Sequence, residues 1–159
     1  MSNTPDDSWT LGKAKQWLRE RLDEGEPCPC CTQMARVYHR PIHATMVYDF
    51  LRVYRAAGGA NKPICITDVL GKRGSSDWAK LRYWGLIEHV DKGTPNKPRA
   101  GWWKVTEFGE EFALKRKTVP KHARIYNGRC LSLDRKEYVS VEDALGQKFS
   151  YQDIFTPVP

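Results

Sequence analysis

Between Ile64 and Leu114 the chain alternates short apolar runs with turn formers in an order that few folds satisfy. An apolar strand and short helix (Ile64 to Leu70) lead into the Gly/Ser-containing turn Gly71 to Ser75. A second helix carries Leu81 and stops at Gly85, and Leu86 and Ile87 then enter a strand. The loop from Lys92 to Gly101 is built from Gly, Pro, Lys and Arg, and the strand Trp102 to Val105 returns from it. Thr106 is placed to cap another helix, with Glu107, Glu110 and Glu111 at its positive end. Ahead of this stretch, Ile42, Met46, Phe50 and Val53 recur at helical spacing, and Val47, Leu51 and Tyr54 widen the stripe. That pattern predicts a helix over Pro41 to Ala57 with a broad buried face. Arg52 and Arg55 fall near its C-terminus, where the dipole favours cations.

This order resembles a winged helix-turn-helix domain of the MarR-like kind. The residues carrying the resemblance are Leu81, the Gly85-Leu86-Ile87 stop, the basic loop from Lys92 to Arg99, and Val105-Thr106-Glu107-Phe108-Gly109. The fold expected is α+β and mainly helical. It has an N-terminal helix and Cys-rich knuckle (residues 1–40), a winged helix-turn-helix (41–118), and a small α+β appendage packed on it (119–159). The resemblance further implies a recognition helix in the major groove of double-stranded DNA and a wing on the backbone or minor groove. With Trp78 and Leu81 one turn apart and facing the core, Ser76, Lys80 and Tyr83 are left near the opposite surface. Lys72 and Arg73 lie in the turn, and Lys92, Lys97 and Arg99 in the wing. Asp77 is an awkward neighbour for DNA unless it caps the helix or accepts from cytosine, and Trp84 is open between core and surface.

The net charge of +7 is informative because of where it sits. Residues 1–70 hold 9 Lys/Arg against 8 Asp/Glu, residues 71–124 hold 13 against 6, and residues 125–159 hold 4 against 5. The surplus therefore falls on the second half of the opening stretch and its exit, Lys115-Arg116-Lys117 and Lys121-His122-Ala123-Arg124. A one-sided cationic surplus suits a phosphate-binding surface, although a solvated face that maintains solubility has the same composition.

Cys28-Pro29-Cys30-Cys31 is the second chemical feature. Cys28 and Cys31 have the C-x-x-C spacing with which a tight turn presents two thiolates to one ion, and Pro29 prepares that turn. Tetrahedral zinc needs two more ligands. His39 and His43 follow at a spacing that suits one helix face, giving Cys28, Cys31, His39 and His43 as a structural zinc set with Cys30 as a substitute ligand. Pro41, expected in the first helical turn, leaves His39 outside that helix. Cys65, His122 and Cys130 are further donors, and a metal-free reduced cluster is the alternative. Five cysteines without a secretory signal, and a polar acidic start from Met1 to Asp7, point to a reducing cytosol. No apolar run reaches the length of a bilayer span.

The flanks are simpler. Ser8 or Thr10 is placed to cap a packing helix to about Leu22, with Leu11, Ala14, Leu18 and Leu22 on one stripe. Ile125-Tyr126-Asn127-Gly128 signals a hairpin, Tyr138-Val139 a short strand, and Ser140 a cap for Val141 to Leu145. Over its full length the chain also resembles a loosely defined group of small phage and prophage proteins. This second resemblance rests on the Cys28 to Cys31 knuckle with Arg36, Tyr38 and Arg40, and on Val119-Pro120 and Ala144-Leu145-Gly146. It implies a bacterial host cytosol and an intracellular metal site, and brings no activity with it.

An enzyme is not expected. The chain has no Gly-rich phosphate loop and no H-E-x-x-H or G-x-S-x-G motif, and no histidine precedes the cysteines as a zinc deaminase requires. The expected function is a DNA-binding phage regulatory or accessory protein. The alternative is a protein-binding module that modulates a host protein complex. A homodimer stays open, since winged helices often pair to match two half-sites, while no apolar heptad here promises one.

Overall fold

In the computed structural model, which describes residues 4–71, 77–90 and 101–155, local chemistry sets most element ends. Helix α1 (Leu11–Arg19) starts where the Thr10 side chain accepts from the Lys13 amide, and it stops at Glu20, short of the expected Leu22. Helix α2 (Ala44–Ala57) ends on Gly58 in the left-handed region. Strand β4 (Ile64–Cys65) precedes helix α3 (Ile66–Leu70), and a 3₁₀ helix, η1 (Trp78–Trp84), is closed by left-handed Gly85. Strands β5 (Ile87–His89) and β6 (Trp102–Val105) precede helix α4 (Glu107–Ala113). That helix is capped by the Thr106 hydroxyl, which accepts from the Gly109 amide at 2.9 Å.

The expectation of a mainly helical protein is corrected. Among the described residues the chain is α+β with 38% helix and 26% strand, in seven helices and three small sheets. Two short strands, β1 (Glu26–Pro27) and β2 (Met34–Ala35), flank the cysteines, and β3 (Tyr38–Pro41) takes up Pro41, which was expected inside α2. The larger correction is the hairpin of β7 (Val119–Tyr126) and β8 (Arg129–Val139), which supplies more than half of the strand residues. Its turn, Asn127-Gly128, was legible: both residues have positive φ, as a tight two-residue hairpin loop requires. Its length was not. Lys121, His122, Arg124, Asp134, Arg135, Lys136 and Glu137 interrupt the hydrophobic alternation from which strands are read. Two short helices, α5 (Val141–Leu145) and α6 (Tyr151–Phe155), complete the described chain, the first opened by a capping box of Ser140 and Asp143.

The strand orders are β1-β2, β4-β6-β5 and β3-β7-β8. Two compact units result. One comprises the residues up to Arg40 with Arg124–Ser132, and the other Pro41–Ala123 with the residues from Leu133 onward.

In the larger unit α2 is the central element. Met46, Val47, Phe50, Leu51 and Val53 are buried, and Phe50 lies 6.4 Å from Trp78 and 6.1 Å from Phe112 between ring centroids. In the sheet beside it, Ile64 pairs with Trp103 and Ile87 with Val105. The smaller unit has little core: Ala14, Ala35 and Val37 are buried, and Leu11, expected on the inner stripe of α1, is exposed. Trp17 packs edge-on to Trp9, with the Arg21 guanidinium 4.7 Å from its ring centroid.

Candidate functional site

Three places have chemistry beyond packing. The first is the start of η1. Trp78, Leu81 and Trp84 turn inward, and Trp84 settles as a core residue whose indole N–H donates to the Pro120 carbonyl at 2.7 Å. The outward side chains are Lys80, Arg82 and Tyr83, with the Arg82 guanidinium 5.0 Å from the Tyr83 ring centroid. Lys80 is not a lone cation: its ammonium lies 2.5 Å from Asp77 Oδ1, and His43 Nε2 lies 3.2 Å from Asp77 Oδ2. The Lys80 hydrogen bond, with help from His43, holds the Asp77 carboxyl below its ordinary range. Asp77 is thus the hub of a cluster at the start of η1, not an isolated carboxylate. Of the residues expected to meet DNA, Lys80 and Tyr83 share this face, while Lys72, Arg73, Ser76, Lys92, Lys97 and Arg99 lie outside the described residues.

The second place is the cysteine turn. β1 and β2 pair in antiparallel register, Glu26 with Ala35 and Pro27 with Met34. The turn between them is closed by the Cys28 amide donating to the Gln33 carbonyl at 2.7 Å and the Thr32 amide donating to the Cys28 carbonyl at 2.8 Å. Thr32 has φ 64, an uncommon conformation for a β-branched residue, which marks how tightly the chain reverses. The neighbouring backbone amides of Cys31 and Cys30 hold the Cys28 thiol below its ordinary value.

The two histidines of the expected zinc set are placed otherwise. His39 is exposed on β3, and His43 is the N-cap of α2 and pairs with Asp77. Because Pro41 lies in a strand and the Ile42 amide donates to the Lys121 carbonyl at 2.8 Å, the helix begins too late for these residues to share one of its faces. Among the described residues no group of three or more His, Cys, Asp or Glu converges around a metal-sized point. All five cysteines are free thiols, and burial pushes that of Cys130 up.

The third place was not anticipated from sequence. A cavity of about 580 Å³ in the larger unit is lined by Tyr48, Arg52, Arg55, Lys148 and Phe149, among others. Tyr48 and Phe149 stack at 4.1 Å between centroids. Arg52 and Arg55 lie near the α2 C-terminus, as its dipole favours, but their guanidinium groups serve other elements. Arg52 donates to the Val69 carbonyl of α3 at 3.2 Å, and Arg55 to the Ile154 carbonyl of α6 at 2.7 Å. The Lys148 ammonium donates to the Thr45 hydroxyl at 3.1 Å. These cations clamp short helices onto α2. The i, i+3 spacing of Arg52 and Arg55 was visible in the sequence, but the segments they hold are too distant along the chain to infer from it.

No protein-family model matches the chain, and no curated protein and no solved structure matches it either. Among the described residues no helix is long and apolar enough to cross a membrane.

Proposed function

We propose that this chain is a DNA-binding protein, of the phage or prophage regulatory or accessory kind, in which residues 41–118 act as a winged helix-turn-helix. The observation that supports this most is the order of elements. α2, β4, α3, η1, β5 and β6 follow one another, the strand order is β4-β6-β5, and the segment joining the paired strands β5 and β6 contains Lys92, Lys97 and Arg99. In a domain so ordered, η1 presents its outer face to the major groove and the β5–β6 connection meets the backbone or minor groove. The cationic surplus of residues 71–124 covers the same elements.

Replacing Lys97 and Arg99 with alanine tests the reading by fluorescence anisotropy on labelled duplexes. The expected outcome is weaker binding by a similar factor on every sequence, with the salt slope reduced by about 1 for each phosphate no longer neutralised. Lys80→Ala or Ser76→Ala should instead change the preference between sequences. A double wing variant that binds every duplex like the wild type contradicts the assignment.

One observation favours a second reading, a module that binds and modulates a host protein complex. Asp77 holds Lys80, so the described face of η1 presents an Arg82–Tyr83 pair, side chains that commonly anchor protein interfaces. In that case duplex affinity is weak at every salt concentration.

A further inference from the structure

We propose that Cys28 and Cys31 form half of a zinc site that a second copy of this chain completes, giving a four-thiolate centre between two chains. The half-site is already built. The β1–β2 hairpin reverses through a turn closed by two backbone hydrogen bonds, from the Cys28 amide to the Gln33 carbonyl and from the Thr32 amide to the Cys28 carbonyl. That turn fixes the backbone from which both cysteine side chains extend before any metal binds. Cys28 and Cys31 line the same open groove, a cavity of about 300 Å³.

The inventory of donors points to a second chain. All five cysteines and all four histidines fall among the described residues, since segments 1–3, 72–76, 91–100 and 156–159 contain neither type. Within the smaller unit the remaining donors of this kind are Cys30, His39 and Cys130. The Cys130 thiol is turned onto the Ser132 carbonyl at 3.5 Å, and no third ligand converges with the pair among the described residues. Structural zinc takes four ligands in a tetrahedron. A two-fold pairing supplies two from each chain, because an isologous contact repeats each residue of the site.

The surroundings suit such a closure. Met34 and Tyr38 line the groove with 60% and 46% of their surfaces exposed, and a facing copy would cover them. Arg36 lines it as well. Zinc with four thiolates carries two negative charges, and one arginine from each chain balances them. Cys30, next to the pair, is not needed as a ligand.

The test uses the full chain purified without chelator or metal-affinity tag, with bound zinc measured by elemental analysis and mass by light scattering. The expected result is one zinc for every two chains and a mass twice the 18.3 kDa of the monomer, with both lost after EDTA. Cys28→Ser with Cys31→Ser should abolish metal and dimer together, whereas Cys30→Ser, His39→Ala and Cys130→Ser keep both. Cobalt loading of the unmutated chain guards against a variant that fails to fold: thiolate charge-transfer absorption should saturate at one cobalt per two chains. One metal per chain on a monomer overturns the proposal, since the other ligands are then intramolecular. A dimer that survives EDTA, or metal-free protein that takes up no cobalt, also overturns it. Neither outcome bears on DNA binding, which is measured separately.

Discussion

Gly109 shows how one residue links a sequence pattern to a fold. It lies in the first turns of α4, where Thr106 caps the helix and also donates to the Gly85 carbonyl at 2.5 Å. A Cβ at Gly109 would stand 2.2 Å from the Leu86 carbonyl oxygen and 2.9 Å from a Val105 methyl. Its φ is ordinary for a helix, so the requirement is for space and not for a left-handed backbone. Gly109→Ala gains helix propensity, worth at most about 1 kcal/mol. The clash with the backbone outweighs that, and a net loss of about 1–3 kcal/mol is expected from urea unfolding. Stability equal to or above that of the wild type would show that α4 does not seat against Leu86. The glycine was visible as part of the Val105 to Gly109 signature, but its cause was not, because the carbonyl it avoids lies on the other side of the β5–β6 connection in sequence.

Among the elements, legibility followed hydrophobic contrast. α2 could be read from its stripe, and the structure buries Met46, Phe50 and Val53 as the spacing requires. β7 and β8 could not, because charged side chains interrupt the apolar pattern along both strands. η1 was expected as an ordinary helix and is 3₁₀. Its buried residues still fall at three-residue steps (78, 81, 84), a spacing that both helix types satisfy over so short a run.

The link between α2 and η1 was also illegible: His43 at the N-cap of one meets Asp77 at the N-cap of the other, across 34 positions of sequence. Because the folded carboxyl titrates below its ordinary value of 3.8, the stabilisation it provides is complete above that pH and is lost as pH falls through the lower folded value. The side chain is about one-third exposed, so the contribution is under about 1 kcal/mol. Unfolding midpoints of wild type and Asp77→Asn should differ above pH 3.8 and converge as pH falls through the lower folded value. A gap that persists undiminished into stronger acid would contradict the ion-pair role.

For the molecule as a whole, the candidate sites divide between the two units. The smaller unit holds the cysteine turn, and the larger holds η1, the β5–β6 connection and the cavity beside α2. Spacing alone made the C-x-x-C turn legible, since Pro29 and the two cysteines define its chemistry locally. Grouping His39 and His43 with the cysteines depended on where a helix began, and with Pro41 drawn into β3 the two histidines lie on different elements. The cationic surplus is legible in composition, but what it binds is not a property of composition. A phosphate backbone and a solvated face differ in how they respond to salt, and this makes the ionic-strength dependence of duplex binding the most direct test of DNA recognition. On a labelled duplex, log affinity should fall linearly with log salt, with a slope near −0.9 for each phosphate neutralised and a total corresponding to several phosphates. Absence of measurable binding at low salt, or binding indifferent to salt, would contradict it.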